Sequence, residues 1–455
     1  MPPALETIDP TWAWRPFQPT TERPWNRTLA AHLFRRAAFG ATVDQLGAAV
    51  AQPPASVVAQ LMRGSDDEGD FPQQSEDLAR TLLSTGEPRQ LAAWWAYVLL
   101  HTPHPVLERM TLFWHGHFAT SAVKVTDAAL MLEQNRLLRR YAIGDFRPLV
   151  HEISRDPAML VYLDSATNRK VRPNENYARE LMELFCLGEG NYSEKDVQEL
   201  ARCFTGWEIK LGKFRFNRYQ HDSAAKTVLG KTGAFADGES IDWILEQPQA
   251  AQFIVGKLYR QFVCDEPAAS PQLLEPLANE LREHQWQIGY VVERILGSEL
   301  FFSSHALGRK VRSPVDMGVG LLRSLEGTAN AHQLAADVQQ NGQGLFFPPN
   351  VKGWDGGRAW INSSTILGRA NMTARIMGDE KTRFGGGRLD EYFARLGADE
   401  PDQVVDLLVD LLLAVPLAAP SRDGLIEICR KNSNRASGIA EAIHALATLP
   451  EFQLS

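Results

Sequence analysis

The chain has 455 residues, a formal charge of −8, 44% hydrophobic and 22% charged residues, the make-up of a soluble globular protein with ample length for a large core. Its basic residues are scattered rather than striped, which argues against a nucleic-acid or membrane-surface role, and no stretch approaches the length of a membrane span. Four cysteines, Cys186, Cys203, Cys264 and Cys429, lie far apart without a CxxC pair, which argues against a disulfide framework or a cysteine-rich zinc site.

The opening "MPPALETIDPTWAWRPFQPTTERPW" has no basic flank followed by an apolar run. It reads as an irregular arm over residues 1–26 rather than a secretory signal, so a cytoplasmic location is expected. "NRTLAAHLFRRAAFG" then shows helical spacing at Leu29, His32/Leu33 and Arg36/Ala37, with Gly40 as its stop. "TVDQLGAAV" and "PASVVAQLMRG" predict two short helices, and the polar "GSDDEGDFPQQ" predicts a solvated loop. "PRQLAAWWAYVLLHTPHP" is an apolar helix, followed by "PVLERMTLFWHGHF", where Pro105 suits a first helical turn. Further helices are predicted over 126–142, 145–155, 174–187, 193–207, 239–263, 271–302, 312–326, 363–378, 402–413 and 437–448. No period of 20–50 residues is visible, which disfavours a solenoid.

Two stretches break the helical pattern. "WEIKLGKFRFNRYQHD" alternates Phe214 and Phe216 with Lys213, Arg215 and Asn217, a period of two around Gly212 that predicts a short β-hairpin, and "KTVLGKTG" offers a further strand. "GLFFPPNVKGWDGGRAWINSS" is too rich in Pro and Gly for a helix, yet holds Phe346, Phe347, Trp354 and Trp360. A long loop with aromatic anchors is either functional or a packed connector. The expected fold is therefore mainly α: a single large multi-helix body with a small inserted β-hairpin. The arm spans 1–26, the main helical domain 27–380 with the hairpin near 208–232, and a C-terminal helical part 381–455 packs on the main body.

The segment "NENYARELMELFCLGEGNY" raises the first chemical question. At ~100° per residue, Tyr177, Ala178, Leu181, Met182, Leu184, Phe185, Cys186 and Leu187 fill most of the wheel. Only about 100° remains for Asn176, Arg179, Glu180 and Glu183, far less than an ordinary surface helix leaves. A helix so apolar is buried on most sides, and a buried carboxylate needs an arginine, a metal or a water-filled cleft. An ion pair with Arg179 or Arg202 is one expectation. The next helix, "SEKDVQELARCFTGW", starts on a capping-box pattern at Ser193 and Asp196. Val197, Leu200, Ala201 and Phe204 form its core face, with Glu199 and Arg202 off it.

"WHGHF" offers His115 and His117. On a strand they point the same way; on a continuing helix they stand about 200° apart and cannot easily share a metal. Gly116 offers a place for the helix to end and His117 to turn back. If the helix persists, His117 falls among Val106, Met110 and Phe113 as a core histidine. His115 then stands near Glu108, in the manner of a carboxylate orienting a metal-bound imidazole, or of a plain pair. "YQHDSAAKTVLG" adds His221 and Asp222 at the end of the hairpin. Imidazoles and carboxylates from three segments suit a first-row metal such as iron, manganese or zinc. No HExxH, ExxH, EF-hand, GxSxG, Walker A or GxGxxG pattern is present, so neither a nucleotide nor a haem is expected.

The strings "LFWHGHFATS", "NENYARELMELFCLGEGNYSEKDVQELARCFTGW", "HDSAAKTVLG", "FIVGKLYRQFV", "VRSPVDMGVGLLR" and "FFPPNVKGWDGGRAWINSSTILGR", in this order, resemble the bacterial family called domain of unknown function 1800, from about Thr28 to Phe452. The resemblance implies a motif set of His115 and His117, Asn174 to Glu183, Thr205-Gly206-Trp207, His221-Asp222 and Gly353-Trp354. Within it Asn176, Trp207 and Trp354 are expected to contact a cofactor. It also implies export in many relatives and a partner of the family called domain of unknown function 1501. Two functions are weighed. One is a metal-dependent hydrolytic or oxidative enzyme with His115, His117, Glu180, Glu183 and His221 as ligands and Asp222 or Glu108 as the supporting acid–base groups. The other is a non-catalytic accessory protein, with the carboxylates in a structural ion-pair network and the loop 345–362 as its contact surface.

Overall fold

A computed structural model describes residues 8–235 and 238–455. Among these the chain is 59% helical, with 23 helices and two two-stranded antiparallel sheets, a mainly α body with a small β insertion. One hydrophobic cluster runs from Ile8 to Phe452. The C-terminal helices belong to the same packing: Pro401–Leu412 lies on Arg27–Ala38, Arg435–Thr448 lies on Ser363–Gly378, and Val311 bridges Leu454.

Helix starts follow local chemistry. Asn26 caps Arg27–Ala38 by accepting the Leu29 N–H at 3.1 Å, and Ser193 and Asp196 close the foreseen capping box on Glu194–Cys203. The arm is not wholly irregular: Pro10–Trp14 forms a short helix, and Trp14 donates its indole N–H to the Leu273 carbonyl at 2.6 Å. The polar segment near residue 70 is partly helical as well, since Phe71–Leu83 begins inside it. Two long predicted helices are each two. Pro248 has no N–H, and the residue before it is extended, so 239–263 divides into Glu239–Leu245 and Pro248–Phe262. Gln285 and Trp286 adopt φ of 51° and 63°, which divides 271–302 into Pro271–Glu283 and Ile288–Leu296. Helices Pro157–Tyr162, Ala331–Gln340, Leu389–Arg395 and Ala419–Lys431 carried no separate expectation.

The β insertion is two hairpins. β1 (Trp207–Lys210) pairs with β2 (Lys213–Phe216), and β3 (Lys226–Val228) with β4 (Lys231–Gly233). Each turns on a Leu-Gly pair with positive φ at both residues, 53° and 71° in the first and 47° and 79° in the second. That matches the type I′ geometry of two-residue hairpin loops, so "KTVLGKTG" is a complete hairpin rather than one strand.

Candidate functional site

The Pro105–His117 helix continues through Gly116 to its last residue, so the two histidines of "WHGHF" diverge. Gly116 instead admits the loop 345–362: a Cβ there would meet Trp354 at 3.3 Å, and a Cβ on Gly353 would lie 2.0 Å from the Gly116 carbonyl oxygen. His115 is buried among Trp95, Phe346 and Trp354, at ring separations of 5.1, 5.6 and 5.7 Å. Neither of its nitrogens has a partner among the described residues, and burial pushes its pKa down to about 3. Glu108 is held elsewhere: its carboxylate takes the Nε/Nη2 fork of Arg139, with Nη2 at 3.0 Å, and the Trp95 indole at 3.3 Å. It is a buried ion pair rather than an orienting group for His115.

His117 hydrogen-bonds through Nε2 to the Phe185 carbonyl at 3.0 Å. That carbonyl ends an unusual element. After Asn176–Glu180 the helix widens into a π turn over Leu181–Cys186, with the N–H groups of Leu187 and Gly188 both on the Met182 carbonyl. A π turn places its residues out of phase with a 100° wheel, so Glu180 and Glu183 no longer stand on one simple strip. Glu183 accepts from the Tyr192 hydroxyl at 2.8 Å. Glu180 is half-buried; desolvation and Glu183 raise its pKa, opposed by Lys352 and Arg179. The two expected arginines serve other acids: Arg179 pairs with Glu194 and Glu175, and Arg202 with Asp222 and Glu199. Asn176 is exposed, its side-chain N–H 3.5 Å from the Leu163 carbonyl.

The hairpin end forms a separate polar cluster. His221 Nδ1 lies 2.9 Å from the Thr205 carbonyl. Asp222 receives Arg202 Nε at 2.7 Å and the Ala224 N–H at 2.9 Å, and Arg202 helps hold its carboxyl below the usual range against desolvation. Trp207 is fully buried against Phe204 and Phe214 at 4.5 and 5.7 Å, a core residue rather than a cofactor contact. The donors weighed as metal ligands thus stand in three environments, each with its own protein neighbours. Among the described residues no group of three or more His, Cys, Asp or Glu could hold a metal ion, so the donor set does not fit that chemistry. Of the aromatics of the loop 345–362, Phe346 and Trp360 are buried, while Phe347 and Trp354 are half-buried and Trp354 covers His115.

Four of the six strings, those holding His117, Lys257, Asp316 and Trp354, instead line a cavity of about 230 Å³, room for several waters at roughly 30 Å³ each. Its wall includes Arg35 and Arg36 from Arg27–Ala38, Phe113 and His117 from Pro105–His117, Lys257 and Arg260 from Pro248–Phe262, Lys310 and Asp316, and Lys352, Trp354 and Trp360 from the loop. Seven cationic side chains face three carboxylates, Asp265, Asp316 and Asp355. The excess of four becomes three if a carboxylate is counted at Ser455, which also lines the cavity. This is a cationic pocket in a chain of charge −8.

Two of the three carboxylates are already engaged. Asp316 pairs with Arg109 and Asp265 with Lys310, while the Arg260 guanidinium donates to the Asp355 carbonyl at 2.8 Å. Neither Arg35 nor Arg36 pairs with a side-chain carboxylate among the described residues. Arg36 Nη2 donates to the Ala306 and Ser455 carbonyls, both at 2.6 Å, and Arg35 Nη1 to the Leu411 carbonyl at 3.3 Å. Their remaining groups, Arg36 Nε and Nη1 and Arg35 Nε and Nη2, are buried without an acceptor there. Burial and neighbouring cations lower both pKa values, that of Arg36 to about 9, with Asp265 opposing. The empty edge of Arg35 is the one that Arg422 uses on Asp406, with Nε and Nη2 at 2.7 and 2.8 Å. A guanidinium fork that is buried and empty costs several kcal/mol unless an oxyanion satisfies it. These arginines were legible only as polar residues in an otherwise apolar helix, the reasoning that singled out Glu180.

The family model described as "Protein of unknown function (DUF1800)" matches residues 32–454. No curated protein and no solved structure matches.

Proposed function

For this chain, which belongs to the DUF1800 family, we propose that the cationic cavity binds a small oxyanion: inorganic phosphate or sulfate, or an organic phosphate or carboxylate. The observation that carries the reading is the buried pair Arg35 and Arg36, each of which keeps its Nε and one Nη group without an acceptor among the described residues. The bound anion neutralises charge that the fold leaves unbalanced, and its oxygens take the guanidinium N–H groups as carboxylates do elsewhere in the chain. Trp354 and Trp360 supply a flat apolar wall for any organic portion.

The test compares thermal and urea stability in phosphate, sulfate and chloride at matched ionic strength. A ligand at a hundred times its Kd adds about 2.7 kcal/mol, and divalent oxyanions should stabilise where chloride does not. Arg35→Met keeps the apolar stem and removes the fork. Its cost should stay below about 1 kcal/mol in chloride, because it removes an uncompensated charge, while the phosphate increment should shrink. Equal stability in all three salts, together with a loss of about 3–5 kcal/mol in chloride, would mark Arg35 as half of a satisfied structural pair and end this reading.

A further inference from the structure

We propose that Lys257 is a reactive amine of the cavity, placed to form an imine with an anionic ligand that carries an aldehyde or ketone. This rests on the oxyanion reading above and adds the chemical class of the ligand: a carbonyl compound that also bears a phosphate or carboxylate.

Lys257 differs from the other cavity lysine that is engaged inside the protein. Lys310 pairs with Asp265, whereas Lys257 has no carboxylate within ion-pair distance among the described residues. Its Nζ has one acceptor, the Leu184 carbonyl at 3.1 Å, and lies 4.8 Å from the centre of the Phe253 ring. Arg260, one turn along the same helix, repels a charge there; Cys186 on the π turn is the group that favours one, and His117 faces it from the Pro105–His117 helix. Desolvation and Arg260 push its pKa down to about 8, so a substantial neutral fraction exists near physiological pH. As a neutral amine Lys257 keeps one N–H on Leu184 and turns its lone pair toward the cavity. A desolvated lysine of this kind is the usual source of a nucleophilic amine.

The bond changes balance without a redox partner. The Lys257 nitrogen adds to the carbonyl carbon and a C=N bond forms. The carbonyl oxygen leaves as water with the two hydrogens that the neutral amine gives up. The cationic wall at Arg35 and Arg36 holds the ligand's anionic end in the same small cavity, which makes the addition effectively intramolecular.

The experiment uses the full chain with pyridoxal 5′-phosphate as the probe, sodium borohydride to fix any imine, and peptide mass mapping. The expected result is one dominant adduct, on Lys257, suppressed by inorganic phosphate and at least about tenfold weaker with pyridoxal, which lacks the phosphate. Lys257→Arg keeps a cation able to cap Leu184, so it should lose the adduct and keep the stabilisation by inorganic phosphate. Lys352→Gln changes an exposed wall residue and should lower the yield at limiting probe without affecting the fold. Labelling spread over surface lysines, or insensitive to inorganic phosphate, overturns the inference; if phosphate still stabilises the protein, the oxyanion reading survives. Absence of both the Lys257 adduct and any phosphate stabilisation overturns both.

Discussion

Asp156 shows how burial alone sets a residue's chemistry in this fold. Its carboxylate caps Pro157–Tyr162 by accepting the Met159 N–H at 2.9 Å and takes the Gln134 amide at 2.7 Å, bonds that favour ionisation. Desolvation outweighs them and raises its pKa to about 7. Because the folded value lies above the ordinary 3.8, the fold favours the protonated acid. This contribution is fully present below about pH 4 and is lost as pH rises through about 7. D156N keeps a good capping side chain but cannot titrate. Urea melts at pH 5 and pH 8 should show wild type losing about 2–4 kcal/mol between them relative to D156N; a pH-independent difference would mean that Asp156 stays ionised. At this scale the sequence marked carboxylates in apolar settings as unusual, and Glu180 is indeed half-buried with a raised pKa. It could not name their partners, because the π turn changes the phase on which a helical wheel depends.

Whether the cavity has a wall on the loop side depends on how one element seats on another. The loop 345–362 approaches the Pro105–His117 helix through two glycines: Gly353 at φ +80°, and Gly116, whose carbonyl would lie 2.0 Å from any Cβ on Gly353. Gly353→Ala cannot be relieved by rotating a side chain, since both obstacles are backbone. We expect about 1–3 kcal/mol from the strained φ, further loss from displacing Trp354, and a weaker phosphate increment. Gly47→Ala is the control: it lies within Val43–Val50 with nothing within 4 Å, and should stabilise by about 0.5–1 kcal/mol. If both variants melt like wild type in phosphate, the loop does not form the cavity wall. The main helices were readable because amphipathic spacing is local. The division at Trp286 and the second hairpin were not, because they depend on residues such as Leu229 taking a positive φ that propensity disfavours and tertiary packing enforces.

For the molecule as a whole, the same buried arginines tie the C-terminal segment to the body. Arg36 donates to the Ser455 carbonyl at 2.6 Å, Arg312 to Leu454 at 3.0 Å, and Arg369 to the Gln453 side chain at 3.0 Å. All three guanidinium groups are buried, so these acceptors cannot be replaced freely by water. Sequence periodicity located Pro401–Leu412 and Arg435–Thr448, missed Leu389–Arg395 and Ala419–Lys431, and suggested a C-terminal part after 380 packed on the main body. Periodicity carries no information on which body a helix packs against, and the single core reaching Phe452 joins that part to the first helices. Ending the chain after residue 449 removes acceptors from all three arginines while leaving the Arg435–Thr448 helix intact. At roughly 1.5–3 kcal/mol for each hydrogen bond to a charged group, and allowing for incomplete additivity, the truncated chain should lose at least about 4 kcal/mol. It should do so across the whole molecule: tryptophan fluorescence and far-ultraviolet circular dichroism should follow one coincident urea transition, shifted to lower denaturant. Two separated transitions, with only the later helices affected, would instead mean that residues 381–455 fold as their own unit and that the arginines are satisfied without them.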